Sequence, residues 1–566
     1  MNAERLLDVY EQISEAPDAI ARLRRFVLDL AVRGKLVEQD ADDEPASTLM
    51  KAAKGLQTKE DVKIKADPLQ PNETPFPAPL GWLWTRVGLI ALQTGSGSTP
   101  RGGKSAYADE GTSFLRSQNI YDDGLRLDDV VFINDETNQK MKRTQVKAKD
   151  LLLNITGGSI GRCTRVPDEF AGANVSQHVA IIRTAAPGTE DYLHLLVRSP
   201  FFQEYVVGEQ TGAGRGGLPK NRMDRIPVPL PPLAEQHRIV AKVDELMALC
   251  DRLEEARKTR EEVRDKLTAA SLARLTASDT TAEDFPTYAA FALEALPALT
   301  TRPDQIKTLR QTILNLAVRG KLVEQDPADD RDNQGLLRPD NEAESYDSRS
   351  FNDRASLFTL PEGWTIQPLS RVAERIVDCP HTTPKWTDSG VLCIKTNQVR
   401  AGLLDLSAPN FVSEETYSIR IERLTPKSDD ILYIREGGIL GVGCRIPKDT
   451  RLCMGQRLML IRANGSVAPA FLELCLNSPW IADFAAEKTT GGAAPRVNMA
   501  LVRGYPIPVP PLAEQHRIVA KVDTLMALCD RLEAALTTAD TTRTRLLGVL
   551  LHEALDPATD TLKAAE

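Results

Sequence analysis

One loop of the 566-residue chain has the residue types that bind nucleotide phosphates in many enzymes. Residues 95–105 read GSGSTPRGGKS, so glycines precede a Lys-Ser pair as in a phosphate-binding P-loop. The P-loop spacing requires glycine where the chain has Ser98, and Pro100 removes a backbone N–H donor from the cradle. The matching region of the second half, residues 380–385 (PHTTPK), has no glycine. We therefore predict a polar loop that faces a phosphate backbone and does not bind a nucleotide.

The other residues that could do chemistry do not form a catalytic set. The six histidines are scattered, and His237 and His516 lie at the start of a duplicated helix, where a polar first-turn or interface role is typical. The Asp-Asp pairs at 128–129 and 429–430 stand beside strand-like runs and indicate turns, not an acid–base pair. The sequence contains no dinucleotide-binding GxGxxG in a strand–helix context, no helicase set and no amino-methyltransferase motif. We predict a non-catalytic chain with no metal site.

Composition is that of a globular protein without export or membrane signals. The chain is 42% hydrophobic and 26% charged, and no apolar run approaches the roughly 20 residues that span a bilayer. Its start, MNAERLLDVYEQISEAPD, contains early acids and no apolar signal core. The eight cysteines show no CxxC spacing, which favours reduced thiols. We expect a soluble cytoplasmic protein with no membrane partner.

The net charge of −9 argues against a general polyanion binder. The charge is unevenly distributed, because residues 78–230 have 18 basic and 16 acidic side chains and residues 360–509 have 17 and 15. The rest of the chain is therefore acidic. Local basic surfaces in these two segments could still contact nucleic acid.

The chain consists of two tandem copies of one unit. Residues 231–254 (PPLAEQHRIVAKVDELMALCDRLE) return at 510–533 with one difference, Glu245 versus Thr524. A second repeat, LAVRGKLVEQD, begins at Leu30 and again at Leu316. Each copy is thus framed by a shared element at either end, while the sequence between the frames has diverged.

Helical elements are expected to position the two divergent segments that lie between the repeats. Residues 3–40 have apolar side chains at helical spacing, and residues 303–324 repeat the second part of this run. The duplicated helix has apolar residues every three or four positions, which predicts a seam between two long antiparallel helices. The alternative is that each helix packs on its own globular domain. The predicted seam and partner positions are Ile239, Val243, Leu246, Leu253, Ile518, Val522, Leu525 and Leu532.

The two variable segments share one order of elements although most of their side chains differ. Each opens with Gly-Trp and continues with short strand-like runs, a helical stretch broken by Ser-Pro, a glycine-rich loop and a proline run. The predicted strands include residues 130–133, 151–155, 179–182, 431–434 and 458–461. Acidic, proline-containing stretches, 40–77 and 326–356, predict exposed linkers.

These observations predict an α+β fold. Two globular α/β domains are separated by a pair of long antiparallel coiled-coil helices, with a pseudo-two-fold internal repeat. We expect an N-terminal helical region with linker (1–77), a first variable domain (78–232), a central long helix with linker (233–357), a second variable domain (358–510) and a C-terminal long helix (511–566).

This arrangement resembles the DNA-specificity subunit of Type I restriction-modification systems over essentially the whole chain. The duplicated residues 233–254 are the most specific part of the resemblance. Residues 114–120 (FLRSQNI) and 151–162 (LLLNITGGSIGR) also look like family signatures in the first variable domain. The second domain departs from them at residues 393–398 (CIKTNQ) and 432–441 (LYIREGGILG), which fits a domain that reads a different sequence.

The resemblance implies that each variable domain is a target-recognition domain reading one half of a split site in double-stranded DNA. It also implies that the long helices set the spacing and dock two modification subunits, which bind S-adenosylmethionine and methylate adenine. Two restriction subunits that use ATP with Mg²⁺ would complete the nuclease. This chain would bind no cofactor and perform no catalysis. The competing hypotheses are a protein-binding scaffold with two ligand domains on a helical stalk and an enzyme with unrecognised motifs.

Polar residues near strand ends and in the glycine-rich loops are the candidates for DNA contact, because amide side chains suit adenine and arginines suit guanine or phosphate. The candidates are Ser117, Gln118, Asn119, Gln177, Arg215, Lys220, Asn221, Lys395, Asn397, Gln398, Arg435, Gln456, Arg496 and Asn498.

Overall fold

The chain divides into two compact units. A computed structural model describes residues 15–62, 66–100, 106–211, 216–277, 280–281, 283–329, 335–339, 345–357, 360–489 and 495–555. Unit 1 comprises residues 1–259 together with 540–566, and unit 2 comprises residues 260–539. The first part of the predicted N-terminal helix, residues 1–14, lies outside the described residues.

The helices of unit 1 are short except for the one that leaves it. They are α1 (Ala19–Val32), α2 (Ala46–Lys59), α3 (Val87–Ile90), α4 (Asp135–Lys140), α5 (Glu190–Arg198), α6 (Pro200–Gly208), α7 (Lys220–Met223) and the first part of α8 (Leu233–Thr276). Ser199 separates α5 from α6, and its hydroxyl caps α6 by accepting a hydrogen bond from the Phe202 N–H at 3.3 Å.

Unit 2 contains the end of α8 and the matching set. Its helices are α9 (Phe285–Leu299), α10 (Pro303–Val318), α11 (Ser348–Ala355), α12 (Leu369–Val372), α13 (Glu414–Ile421), α14 (Pro469–Asn477), α15 (Pro479–Glu487), α16 (Met499–Arg503) and the first part of α17 (Leu512–Leu555), whose last residues belong to unit 1.

The strands also fall into two matching sets. Unit 1 has β1 (Leu83–Arg86), β2 (Ala91–Ser96), β3 (Thr112–Leu115), β4 (Ile120–Tyr121), β5 (Gly124–Leu125), β6 (Val131–Ile133), β7 (Leu151–Asn154), β8 (Cys163–Arg165), β9 (Asn174–Val175), β10 (Val179–Thr184) and β11 (Pro227–Leu230). Unit 2 has β12 (Thr365–Pro368), β13 (Ala373–Asp378), β14 (Trp386–Thr387), β15 (Val391–Ile394), β16 (Val399–Arg400), β17 (Leu403–Leu404), β18 (Phe411–Val412), β19 (Ile431–Ile434), β20 (Val442–Arg445), β21 (Leu452–Met454), β22 (Leu458–Ala463) and β23 (Pro506–Val509).

The two units share their sheet topology, except that unit 2 has one additional edge strand, β14. An antiparallel sheet has the order β2-β10-β7-β8 in unit 1 and β13-β22-β19-β20 in unit 2. A smaller sheet has the order β6-β3-β9 in unit 1 and β14-β18-β15-β21 in unit 2. In each smaller sheet the last pair is parallel, β3 with β9 and β15 with β21. The internal repeat predicted from the frames therefore extends through the divergent segments.

The larger sheet of each unit lies between two apolar cores, because successive side chains of a strand point to opposite faces. In β7, Leu151 and Leu153 pack with the helices, whereas Leu152 packs toward the smaller sheet. In β19, Tyr433 and Leu432 divide in the same way. Burial on both faces explains why these strands are continuous apolar runs.

The duplicated frames contact each other within each unit. Glu235, at the start of α8, is 1% exposed and accepts hydrogen bonds from Trp82 Nε1 at 2.9 Å and from Gln39 Nε2 at 3.1 Å. Arg238 of the same turn pairs with Asp43 at 2.7 Å. We call the contact of Glu235 with Trp82 and Gln39 the first frame clamp.

Unit 2 repeats this contact as the second frame clamp. Glu514, also 1% exposed, accepts hydrogen bonds from Trp364 Nε1 at 2.9 Å and from Gln325 Nε2 at 3.0 Å. Arg517 pairs with Asp329 at 2.7 Å. The two repeated elements of each half therefore contact each other in the fold.

The predicted seam of the long helices packs on the core of its own unit. Ile239 and Val243 belong to the helical core of unit 1, and Leu246 packs against it. The matched residues of α17 enter the core of unit 2: Ile518 and Val522 are buried in it, and Leu525 and Leu532 pack against it. Leu253 is half-buried. The alternative that each helix docks on its own domain therefore describes these positions.

The far ends of the long helices complete the other unit. Leu547 and Leu550 of α17 form a small core with Ala16 and Ala19, beside α1 in unit 1. In unit 2, Leu272 of α8 packs with α9 and α10 in the same manner. Each unit thus contains the first part of one long helix and the last part of the other.

Both stretches predicted to be linkers contain a docked helix. In the first, Gln57 of α2 is 2% exposed and donates to the carbonyls of Leu89 and Ala91 at 3.0 and 2.8 Å. In the second, the Arg354 guanidinium of α11 lies 4.3 Å from the Trp480 ring centroid. The prediction of exposed linkers was wrong at these helices. Among the described residues, no helix is long and apolar enough to cross a membrane.

Candidate nucleic-acid interface

Polar loops of each unit meet at one edge of the smaller sheet. Because β3 and β9 are parallel neighbours, their carboxyl ends lie side by side, and the Ser176 N–H donates to the Leu115 carbonyl at 2.9 Å. The Gly455 N–H donates to the Ile394 carbonyl at 2.8 Å in unit 2. The candidate residues on the first turn (116–119 or 395–398) and on the second turn (176–178 or 455–457) are therefore brought together.

The first turn is closed by a buried amide side chain in both units. Asn119 is 0% exposed, and its Oδ1 accepts from the Arg116 N–H at 2.9 Å. Gln398 is 3% exposed and accepts from the Lys395 N–H at 2.9 Å. These amides hold the turn and lie inside the fold. Our prediction of direct DNA contact by Asn119 and Gln398 disagrees with their burial.

The neighbouring residues on this turn remain accessible. Gln118 and Asn397, at matched positions, are both exposed. Ser117 is half-buried, and its carbonyl accepts from Asn154 Nδ2 at 2.8 Å. The Lys395 ammonium lies 2.5 Å from Asn410 Oδ1 and 4.2 Å from the Trp386 ring centroid.

The second turn places a glutamine at the same position of each unit. Gln177 is exposed, and Gln456 is half-buried with its Nε2 donating to the His381 carbonyl at 2.9 Å. The next residue differs between the units: it is His178 in unit 1 and Arg457 in unit 2, both exposed. Arg457 has φ of 66°, an uncommon backbone conformation for a residue other than glycine.

Arg435 is a structural residue of unit 2. It is 8% exposed, and its guanidinium pairs with the Asp378 carboxylate and donates to the Val497 carbonyl at 3.2 Å. Burial lowers the pKa of Arg435, but the hydrogen bond to Asp378 and the charge of Asp378 together raise it by more, so the net shift of the pKa is upward. The prediction that Arg435 contacts DNA does not fit this interior position.

The glycine-rich return passes beside these turns. Lys220 is exposed and its Nζ lies 2.7 Å from Asp224 Oδ2, while Asn221 is exposed. In unit 2, Arg496 is exposed, and the exposed Asn498 caps α16 by accepting from the Ala500 N–H at 3.0 Å. Arg215 lies outside the described residues.

The loop that resembles a P-loop does not have a free cradle in its described part. The Gly97 N–H donates to the Val179 carbonyl at 2.9 Å, and the Ser98 N–H donates to the Val175 carbonyl at 3.2 Å. Residues 101–105 lie outside the described residues. Glycine is required at position 97, because a Cβ there would overlap the Val175 carbonyl.

Sequence reasoning missed three exposed or half-exposed residues at this edge. They are Trp386, which is 39% exposed beside Lys395; Arg457; and Tyr121, whose ring lies 4.4 Å from the Arg162 guanidinium carbon. The signal for Trp386 was present, since a tryptophan next to Lys385 in a polar loop is unusual for a core residue.

The fold and these loops define a class of protein with two recognition domains made by internal duplication, each presenting its own polar loops on a shared scaffold. The chain belongs to the family of the Type I restriction modification DNA specificity domain, whose sequence model matches residues 95–262 and 398–539.

Two Type I restriction enzyme specificity subunits match nearly the full chain. The "Type I restriction enzyme EcoEI specificity subunit" of Escherichia coli is 27% identical, over 95% of this chain and 94% of its own length. The "Type I restriction enzyme EcoAI specificity subunit" of the same species is 28% identical over the same shares. The crystal structure of the HsdS subunit from Thermoanaerobacter tengcongensis is 19% identical, with a TM-score of 0.42 over 85% of this chain and 98% of that one.

Proposed function

We propose that this chain is the DNA sequence-recognition subunit of a Type I restriction-modification complex, and that each target-recognition domain reads one half of a bipartite site. One observation carries the proposal. The two units share their sheet order, apart from the additional edge strand β14, and the same buried turn closure, whereas exposed residues at matched positions differ, as in Gln118 versus Asn397 and His178 versus Arg457. A constant scaffold with unlike exposed groups suits two unlike half-sites.

The exposed groups have the chemistry of base-edge and phosphate recognition. Amide side chains pair with adenine, and guanidinium groups pair with guanine or phosphate. Ser117 and Lys395 are retained as half-buried candidates at the same edge. Gln456 is a third half-buried candidate there, and of the exposed side chains we assign direct contact to Gln118, Gln177, Asn221, Asn397, Arg457 and Arg496.

The long helices are proposed to dock two modification subunits through a repeated surface, which we call the alanine stripe. In α8, residues spaced three or four apart lie on one helix face and are exposed: Ala234, His237, Ala241, Asp244 and Ala248. The same five residue types are exposed in α17: Ala513, His516, Ala520, Asp523 and Ala527.

Folding alone gives no reason for identical residues on an exposed face. Surface substitutions away from special features change stability by no more than about 0.5 kcal/mol, so such positions can diverge freely. A partner that binds twice would retain both copies. The exposed leucines beside the stripe, Leu249 at 42% and Leu528 at 46%, add apolar area to each copy.

Substituting Ala241→Arg tests this docking surface. We expect it to remove one modification subunit from the complex, and Ala241→Arg with Ala520→Arg to remove both, as measured by native mass spectrometry. Thr524→Arg is the matched control, because position 524 is exposed and already differs from Glu245. Retention of both subunits by the double variant would exclude the alanine stripe as the docking surface.

The chemistry is assigned to the partners. Modification subunits would bind S-adenosylmethionine and methylate adenine, and two restriction subunits would use ATP with Mg²⁺. This chain would recognise the two half-sites of the DNA and set the spacing between them, and we propose that it does so in the cytoplasm. It would bind no cofactor, and the described residues contain no group of three metal-ligand side chains placed to hold an ion.

Mapping N6-methyladenine tests the function directly. The chain is produced with its modification partner in a host free of adenine methylation, and we expect an asymmetric motif of two short blocks with a fixed gap. Replacing residues 358–510 with a copy of 78–232 should then yield a motif built from one half-site twice. A complex that assembles but methylates without sequence preference would favour the protein-binding scaffold instead, and methyl transfer by the chain alone would indicate an enzyme.

A further inference from the structure

Two thiols of unit 2 face each other across neighbouring strands. Cys393 of β15 and Cys453 of β21 are directly opposite in this parallel pair, and both side chains are 0% exposed. They belong to one small apolar core, which also contains Tyr417 of α13. Adjacent strands lie about 4.8 Å apart, which is within the roughly 4.4–6.8 Å between Cα atoms that a disulfide spans.

A buried cation stands on α13, the helix that packs on both of these strands. Arg420, on α13, is 4% exposed, and its terminal nitrogens donate to the Thr382 carbonyl at 3.4 and 2.9 Å. Within the described part of the chain no carboxylate pairs with it, and its Nε has no hydrogen-bond partner. A buried charge requires a compensating group, and the charge of Arg420 acts to lower the pKa of both thiols, Cys393 and Cys453.

The environment favours the thiolate at one of the two sulfurs. The hydrogen bond from Cys453 lowers the pKa of Cys393, burial opposes this, and the charges of Arg420 and Lys395 lower it further, so the net shift is downward. The pKa of Cys453 is raised, first by its hydrogen bond to Cys393 and then by burial. The pair therefore has one sulfur suited to attack and one thiol that keeps its proton.

Unit 1 provides an internal comparison for this arrangement. Phe114 and Asn174 are the opposite residues of its parallel pair, and Met141 follows α4 where Arg420 stands on α13. The Asn174 amide donates to Asn138 Oδ1 at 2.9 Å and to the Met141 carbonyl at 3.1 Å. The cation and the two thiols are thus present together in unit 2 and absent together from the matched positions of unit 1.

We propose that Cys393 and Cys453 form an oxidisable dithiol in the second target-recognition domain, with Cys393 as the nucleophile, Arg420 as its counter-ion and a hydroperoxide as the oxidant. The Cys393 thiolate attacks one peroxide oxygen, so that an S–O bond forms, the O–O bond breaks and an alkoxide or hydroxide leaves. The Cys453 sulfur then attacks Cys393 Sγ, and the S–S bond forms as hydroxide leaves and combines with the Cys453 proton to give water. Sulfur is oxidised and the peroxide is reduced.

The position of the two strands suggests how an oxidant reaches the thiols and what a disulfide between them would change. β21 is the outermost strand of its sheet, so a local opening of this edge admits a small oxidant. β15 leads into the turn at residues 395–398, and β21 leads into the turn at 455–457. A disulfide would tie the stems of both turns together. Its effect on the second half-site rests on the proposed function, whereas the dithiol chemistry does not.

Mass spectrometry of the full-length protein tests the proposal. The reduced chain is exposed to hydrogen peroxide, quenched with N-ethylmaleimide and digested. We expect a Cys393–Cys453 disulfide peptide to form at least about tenfold faster than oxidation of Cys444 or Cys475, because reactivity follows thiolate content. The pKa of Cys444 is raised by burial to about 12, and burial also raises that of Cys475.

Variants separate the roles of the three residues. Cys453→Ser should accumulate a sulfenic acid at Cys393 that dimedone traps, and Arg420→Met, which introduces the residue of unit 1, should slow oxidation about tenfold or more. Equal oxidation of Cys393, Cys444 and Cys475 in the unsubstituted chain would overturn the dithiol, even if a variant failed to fold. An unchanged rate in a folded Arg420→Met protein would overturn the counter-ion role.

The link to recognition has a separate readout. Oxidised and reduced complexes are compared for methylation of sites mutated in one half-site at a time. We expect oxidation to relax or abolish discrimination at the second half-site while the first is unchanged. Identical discrimination after complete disulfide formation would overturn the link. The reduced complex alone tests the proposed function, so the two failures can be distinguished.

Discussion

The frame clamps should hold the starts of the long helices with equal strength in both units. Replacing Glu235 with alanine removes the acceptor of two hydrogen bonds, from Trp82 and Gln39, at a side chain that is 1% exposed. A hydrogen bond to a charged group contributes about 1.5–3 kcal/mol, and buried donors left without a partner add to the loss. We expect Glu235→Ala to lower the free energy of unfolding of unit 1 by about 3–5 kcal/mol.

Glutamine at the same position gives an intermediate result. Burial raises the pKa of Glu235, and the hydrogen bonds from Gln39 and Trp82 lower it only in part, so part of the carboxylate's desolvation is not offset. Glu235→Gln removes the charge and keeps one acceptor. It should therefore destabilise unit 1 by about half as much as Glu235→Ala.

The assay is urea unfolding followed by hydrogen-exchange mass spectrometry, which reads peptides of each unit separately. Glu514→Ala should have the same effect on unit 2, and the two substitutions should be additive because they lie in different units. Glu245→Ala is the control, since its exposed pair with Lys242 contributes less than about 1 kcal/mol. Equal losses for Glu235→Ala and Glu245→Ala would refute the reasoning.

Three further outcomes are expected. Burial, and then the charge of Arg198, lower the pKa of His194 to about 4, so this histidine is protonated in the unfolded chain at a higher pH than in the folded protein. The free energy of unfolding should therefore fall by about 2 kcal/mol between pH 7 and pH 5. His194→Gln should reduce that pH dependence, as measured by urea titrations at both pH values. Inserting one heptad after Glu254 and another after Glu533 should lengthen the gap of the methylated motif by about three base pairs, because seven helical residues span roughly 10 Å. Altered half-sites with an unchanged gap would contradict the spacer role. Gly34→Ala should destabilise unit 1 by at least about 1–2 kcal/mol in thermal unfolding, because Gly34 has φ of 65° and an added Cβ would overlap Pro79. An unchanged stability would show that this turn can relax.

The sequence predicted the scaffold well because its frames are repeated. The residues of the frame clamps, such as Gln39 and Glu235, lie inside or next to the duplicated stretches, so their pairing within one half was implied. The strands β7 and β19 were also predicted, since both are short apolar runs, and the structure shows that both of their faces are buried. The α+β class, the duplicated α/β domains and the long helices are confirmed. Helix α2 was missed because its buried side chains are Ala46, Ala53 and Gln57, which give no apolar periodicity.

The candidate site was predicted less well, for a reason visible in single residues. Asn119 and Gln118 are adjacent amides in one polar turn, yet Asn119 closes the turn from inside and Gln118 is exposed. Arg435 looks like a surface arginine in sequence, and only the fold shows that Asp378 meets it. Side-chain direction in a turn depends on backbone geometry and on partners distant in sequence, and neither has a periodic signal.

The small core that joins the two ends of the chain has a consequence for synthesis on the ribosome. Unit 2 is continuous in sequence, but Ala16 and Ala19 of unit 1 are covered by Leu547 and Leu550 of α17. At about 5–20 residues per second, the ribosome needs roughly 30–100 s to travel between these segments. During that interval Ala16 and Ala19 lack their contacts with Leu547 and Leu550. We therefore expect this small core to be completed last, and nascent chains to depend on chaperones at α1 until the end of α17 has been made.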